Sequence, residues 1–284
     1  MTTETVDSVR PQTPVSAPER PVRSMEWEPL WLGHGSRRLY AALHPATAAL
    51  GMLIVGPLLH EQQRTRRLVT ELASTLASHG LPCLRFDFFG SGDSDGECVQ
   101  LDFASISRDL DLAVQALRAV AGVKRVGLLV MRGAALPVCS WLERGGSAEL
   151  LVVWEPLLDG PAWLAQLEEE DAAERCSAER YPLSRGARAV GDDGQLMGFP
   201  VSPVMRRDIA GAALPDRDRH RARPCWGVLR DDARAVALQV DRLFSIPPDT
   251  ARIGGAASMD STTFMTPALQ RLVAVLAADL CREG

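Results

Sequence analysis

Short, unbroken apolar runs alternate with stretches of helical periodicity through the first half of this chain, and that alternation restricts the fold more than any other feature. GMLIVG at 51–56 is apolar and bounded by glycine and proline, the pattern of a strand buried on both faces of a parallel sheet. Residues 64–79 (RTRRLVTELASTLASH) then place apolar side chains at helical spacing and stop at Gly80, a favoured residue just past a helix end. LPCLRF (81–86) follows as a strand, 103–121 as an amphipathic helix and KRVGLLV (124–130) as a central strand. Next come a helix start at 133–142 and a further strand, ELLVVW (149–154). Two strands, 25–33 and 37–44, flank the turn HGS ahead of all these. Such alternation implies parallel βαβ units with right-handed crossovers, hence an α/β fold with a mostly parallel central sheet and helices on both faces.

The rhythm breaks at 159–223, which is polar and rich in Arg, Asp, Glu and Gly. A long irregular insertion between core strands reads as a cap or lid over an active site. The strand pattern resumes at PCWGVLR (224–230); 232–244 reads as a helix, 252–254 as the end of a last short strand, and 267–282 as a terminal helix. Residues 1–24 are too polar to offset their ordering entropy and are expected to form a flexible tail. The expected organisation is a tail at 1–24, a core at 25–158 and 224–284, and a cap at 159–223; 284 residues suit one such domain.

Composition excludes several functions. The net charge is −5 and no basic run stands out, which argues against nucleic acid. No eighteen consecutive residues are apolar, so no membrane span is expected. The N-terminus lacks the apolar segment of a signal peptide, so the expected location is cytoplasmic. Six cysteines without CxxC pairs read as buried reduced thiols, and neither they nor the five histidines have metal-site spacing. No metal or cofactor is expected. The expected partner is a small-molecule substrate or carrier-bound intermediate, with a homodimer or a hydrolase-like subunit as protein partner.

In an open α/β sheet the ligand lies at the C-terminal ends of the strands, and four such ends hold the candidate residues. GPLLHE (56–61) offers the Leu58 backbone N–H as an oxyanion donor, and His60 and Glu61 as polar groups beyond a buried strand. The structural alternative for Glu61 is an ion pair with Arg64 or Arg67. In DFFGSGDSDG (87–96), Asp87 and Ser94 are placed to hold a turn by side-chain hydrogen bonds, with Gly90 and Gly92 allowing its tight backbone. Its spacing matches neither phosphate-binding glycine motif.

The third end is decisive. KRVGLLV runs through Met131, Arg132 and Gly133 straight into a helix. Strand, sharp turn and helix form the setting of the GxSxG nucleophile elbow, in which Arg132 here takes the place of the serine. A guanidinium cannot act as a nucleophile, but its fork of donors can bind a carboxylate, a phosphate or a developing oxyanion. The structural alternative is a buried ion pair with Glu155 or Asp159. At the fourth end, Asp231 or Asp232 is either a remnant triad acid or a helix N-cap. A triad histidine belongs in the loop before the last helix, yet 254–270 has none and the last histidine is His220.

As a set, five segments resemble the exosortase-A-system-associated hydrolase-like proteins, within the serine aminopeptidase-like part of the α/β-hydrolase superfamily. They are GPLLHEQQRTRR (56–67), LRFDFFGSGDSDG (84–96), VMRGAA (130–135), VWEPLLDG (153–160) and GFPVSP (198–203). The likeness covers roughly residues 40–210. It implies the α/β-hydrolase fold with a cap, an arginine at the elbow, and an accessory role in secondary metabolism or polysaccharide export. The chain departs from the pattern in lacking both elbow glycines and the late histidine.

Two functions follow, with a true hydrolase using an unrecognised nucleophile as a third. In the first, Arg132 anchors an oxygen while Glu61, Glu155 or Asp231 acts as a general base for elimination, isomerisation or cyclisation of a biosynthetic intermediate, with no covalent acyl step. Leu58, His60, Met131, Gly133, Trp154 and Met259 would line the substrate. In the second, the machinery is lost, and a pseudo-hydrolase binds a ligand, a carrier protein or a partner subunit.

Overall fold

The structure, a computed structural model, describes residues 27–177, 194–214, 223–254 and 262–283. The expected tail at 1–24, part of the expected cap, His220 and Met259 lie outside the described residues. The strands in chain order are β1 (Glu28–His34), β2 (Arg37–His44), β3 (Leu50–Val55), β4 (Cys83–Phe86), β5 (Arg125–Met131), β6 (Leu150–Trp154), β7 (Gln195–Leu196), β8 (Phe199–Pro200), β9 (Cys225–Leu229) and β10 (Arg242–Ser245). The helices are α1 (His60–Ser78), α2 (Phe103–Ala121), α3 (Ala135–Glu143), α4 (Gly160–Arg175), α5 (Pro203–Ala210), α6 (Asp232–Ala237) and α7 (Pro267–Glu283).

Eight strands form one sheet in the order β1-β2-β4-β3-β5-β6-β9-β10. β2 pairs antiparallel with β1 and β4, and the remaining pairs are parallel. Successive side chains of a strand point to opposite faces, and the central strands feed two cores by that rule. Leu53, Val55, Val126, Leu128, Val130, Leu151 and Val153 pack with Ile106 and Leu110 of α2 and Val138 of α3. Ile54, Leu129, Met131, Val152 and Trp154 pack on the other face with Leu68 and Leu72 of α1 and Val273 and Leu276 of α7. Apolar burial on both faces explains why these strands are continuous hydrophobic runs.

Between β6 and β9 lie α4, the β7–β8 hairpin and α5. Asp159 caps α4 by accepting from the Ala162 N–H at 2.8 Å, and Ser202 caps α5 by accepting from Met205 N–H at 3.0 Å. Trp163, Leu167, Leu196, Met205 and Ile209 join the core that α2 and α3 build.

Two elements differ from the sequence reading. α1 begins at His60, four residues early, because its first turn follows Leu59, a left-handed residue with φ 56° and no capping side chain. The expected helix at 232–244 stops at Ala237; Gln239 takes φ 47°, and RLFS forms β10 beside β9. Tertiary packing decides that outcome: Phe244 is buried, with its ring 5.8 Å from that of Trp226. The last strand among the described residues is therefore β10, and residues 252–254 are irregular. All six cysteines are free, but only Cys83 and Cys139 are buried. No helix among the described residues is long and apolar enough to cross a membrane.

Candidate functional site

Three strand ends meet at one point, and each turns through a left-handed non-glycine residue: Leu59 after β3 (φ 56°), Arg132 after β5 (φ 54°) and Glu155 after β6 (φ 41°). Each such residue costs on the order of 1–3 kcal/mol and persists only where the surroundings over-determine it. At Arg132 the strand passes through a single 3-10 turn (Arg132–Ala134) into α3. The expected sharp strand–turn–helix is therefore present.

The Arg132 side chain turns inward and meets Glu61 of α1. Its Nη2 donates to Oε1 at 3.1 Å, and its Nε–H is shared between Oε1 and Oε2 at 3.3 Å each. Its Nη1 donates to the Glu155 carbonyl at 3.2 Å. Both side chains are buried, 10% and 5% exposed. The partner of Arg132 is thus Glu61, in place of Glu155 or Asp159, and Glu155 contributes only its carbonyl to it. Glu61 does not pair with Arg67, which instead donates to Glu71 at 2.8 Å.

The Glu155 carboxylate belongs to a second couple. Arg230, just past β9, donates Nε–H to Glu155 Oε1 at 2.7 Å and its two terminal nitrogens to the Thr250 and Ala251 carbonyls at 2.8 Å. Asp231 caps α6, accepting from the Ala233 N–H at 2.8 Å. It is exposed, so of its two readings the helix cap is the one observed.

Two glycines let neighbouring groups close on this point. Gly254 lies so near the Arg132–Glu61 pair that a Cβ there would collide with Arg132 Nη2 and come within 2.6 Å of Glu61 Oε1. At Gly254, where the segment that would carry a triad histidine begins, the backbone therefore lies against the pair with no side chain of its own. On the other side the Trp163 ring of α4 covers Gly133, and a Cβ on Gly133 would fall 2.5 Å from it.

Several expected substrate contacts are core residues. Met131 and Trp154 are 0% and 1% exposed and point to the α1/α7 face, because strand alternation sends them away from Arg132. Leu58 is buried in the α2/α3-side core. His60 is also buried; its Nδ1 has no hydrogen-bond partner, and burial pushes its pKa down to about 4. The Asp87 turn forms as expected: Asp87 accepts from the Asp93 N–H at 2.9 Å and from Gln62 at 3.0 Å, and Ser94 Oγ donates to the Asp87 carbonyl at 2.6 Å.

An open cleft of about 330 Å³ adjoins the ion pairs, lined by Arg132, Glu155, Arg230, Asp231, Arg234 and Arg252 among others. Sequence reasoning missed Arg230, Arg234, Arg252, Gly254 and Trp163. Only Arg230 carried a usable signal, its position directly after a strand. Among the described residues no group of three His, Cys, Asp or Glu side chains could hold a metal.

No family model matches the chain, and no curated protein matches it. Solved structures do. The ferulic-acid-bound Est1E of Butyrivibrio proteoclasticus is 17% identical, with a TM-score of 0.56 over 88% of this chain and 98% of its own. The Pyrococcus furiosus esterase PF2001 is 12% identical, with a TM-score of 0.54 over 90% of this chain and 89% of its own. The α/β hydrolase GrgF of Penicillium sp. sh18 is 16% identical, with a TM-score of 0.53 over 78% of this chain and 89% of its own. At these identities the likeness is one of fold, and it agrees with the sheet order, the crossovers and the two helical layers: this chain has the α/β-hydrolase fold.

Proposed function

We propose that the chain is a pseudo-hydrolase, which holds a small-molecule or carrier-bound intermediate without covalent chemistry. Arg132 stands where a serine nucleophile would, as in the exosortase-associated hydrolase-like proteins the sequence resembles. The observation that carries the reading is the Arg132–Glu61 pair, three contacts at 3.1–3.3 Å that fill the tip of β5. A guanidinium offers no lone pair for attack. Trp163 lies against Gly133 and the Gly254 backbone lies against the pair, so both glycines let their neighbours approach the turn closely.

The acid/base alternative has weaker support, because its three bases are engaged. Glu61 is held by Arg132, Glu155 by Arg230, and Asp231 by the α6 N-terminus. The segment between β6 and β9 serves as the cap in this reading, with Trp163 as its contact to the turn. A serine-directed fluorophosphonate and a cysteine-directed iodoacetamide test the proposal on the full chain. The expected result is no stoichiometric fluorophosphonate labelling and no p-nitrophenyl ester turnover. Clean labelling at one serine, or turnover abolished by replacing the labelled serine or cysteine, would overturn it.

A further inference from the structure

We propose that the cleft beside Arg132 is an anion site, in which Arg234 and Arg252 grip the carboxylate or phosphate of a small ligand. The inference names the ligand class of the pseudo-hydrolase reading and rests on that reading only for the ligand being held without a covalent bond.

The balance of charge in the cleft is the first argument. Four arginines and two acidic residues line it, although the whole chain carries −5. Arg132 is matched by Glu61, and Arg230 by Glu155 with the Thr250 and Ala251 carbonyls. Asp231 accepts from the Ala233 N–H through Oδ1, and its single negative charge is outnumbered by the two arginines left over. Arg234 and Arg252 remain, both exposed, and neither side chain has a hydrogen bond or ion pair among the described residues. Two unmatched guanidiniums lining one cleft give it a positive local field that favours an anion.

Their placement is the second argument. Arg234 sits on α6, after β9, and Arg252 on the segment after β10, so two separate elements present them to the same cleft. That cleft opens at the C-terminal ends of parallel strands, where ligands of open α/β sheets bind. Its volume of about 330 Å³ is at the small end of ligand sites. The guanidinium fork matches carboxylate and phosphate oxygens in bidentate fashion. Arg132, Glu155 and Arg230 also line the cleft, but their charges are matched within the Arg132–Glu61 and Arg230–Glu155 couples, so discrimination falls to the two unmatched arginines.

Calorimetric titration of the full chain tests this with inorganic phosphate, succinate and, as an uncharged control, succinamide. Saturable one-site binding of phosphate or succinate is expected, with none for succinamide, and the preferred anion identifies phosphate or carboxylate as the natural group. Arg234→Gln/Arg252→Gln should weaken that binding at least tenfold, while Arg118→Gln/Lys124→Gln, at positions that lie before β5 at the end of the strand opposite Arg132, leaves it unchanged. Thermal unfolding of each variant separates lost binding from lost folding, and the single variants Arg234→Lys and Arg252→Lys should bind at intermediate strength. Absence of saturable binding by either anion, or equal binding by the paired cleft variant, would overturn the proposal. Fluorophosphonate labelling is read separately: labelling with arginine-dependent anion binding removes the pseudo-hydrolase reading and keeps the site, whereas no labelling and no binding does the reverse.

Discussion

Arg132 and Glu61, 71 residues apart in sequence, share three hydrogen bonds at the tip of the central strand, with both side chains almost out of solvent. Breaking a buried pair by removing one partner strands the other charge, at about 3–5 kcal/mol, whereas replacing both by apolar groups is often neutral. Glu61→Ala and Arg132→Ala should therefore each lower the unfolding free energy by about 3–5 kcal/mol. Arg132→Met/Glu61→Leu should recover most of the loss. Urea denaturation of the four proteins checks this, and additive losses in the double variant would show that the two side chains do not act as a pair.

This pairing also marks where sequence reading stops. β3, β5 and β6 are legible because both faces of each strand are buried, leaving uninterrupted runs such as LGMLIV and RVGLLVM. The turn at Arg132 is legible from a strand running directly into a helix. β10 is not, because RLFS continues the apolar spacing of α6 and only its pairing with β9 makes it a strand. The partner of Arg132 is not legible either: nearness in sequence favours Glu155 and Asp159, whereas the sheet sets β3 and β6 on either side of β5 and Arg230 takes the Glu155 carboxylate, leaving Glu61 for Arg132. Strand parity is itself a property of the sequence. It assigns Met131 and Trp154 to the core, because they share a face with Leu129 and Val152 respectively.

Gly133 and Trp163 make a second testable couple. A methyl group at 133 would lie 2.5 Å from the Trp163 ring, and overpacking of this kind costs about 1–3 kcal/mol. Gly133→Ala should lower the melting temperature, and Trp163→Leu in the same chain should relieve part of that loss by removing the ring it strikes. Differential scanning calorimetry of the two single variants and the double variant reads the coupling directly. A strictly additive double variant would mean that the ring does not rest on the turn.

Stability should fall below pH 6.5. Burial depresses both His44 and His60 to about 4, so between pH 6.5 and 4 the unfolded chain takes up protons that the native chain refuses. Each histidine then favours unfolding as pH falls, His60 by on the order of 3 kcal/mol across the window. Asp109 works the other way. Burial raises its carboxyl to about 6 against the opposing Phe89 N–H and Arg37, so the native chain holds that proton first and gains stability over the same range. Two histidines outweigh one aspartate. Urea midpoints should drop from pH 7 to pH 4.5, and His60→Gln should flatten the slope. A midpoint that rises on acidification would contradict the assignment.

Restoring a serine should not restore a hydrolase. Arg132→Ser puts a hydroxyl at the turn and keeps the left-handed backbone, φ 54°, that presents it. It also strands Glu61, 5% exposed, beside the new hydroxyl. A serine needs an adjacent base to lose its proton, and the loop passing over this point does so through Gly254, with no histidine anywhere after His220. His60 cannot substitute if its imidazole remains buried in the α1 N-terminus as observed. Arg132→Ser/Glu61→Gln, which removes the stranded charge, should fold better than Arg132→Ser alone and still react with fluorophosphonate no faster than free serine. Mass spectrometry of the intact chain after probe treatment measures this. Rapid, stoichiometric labelling at position 132 would mean that a working base already faces the tip of β5, and the loss of function would then lie in the one side chain.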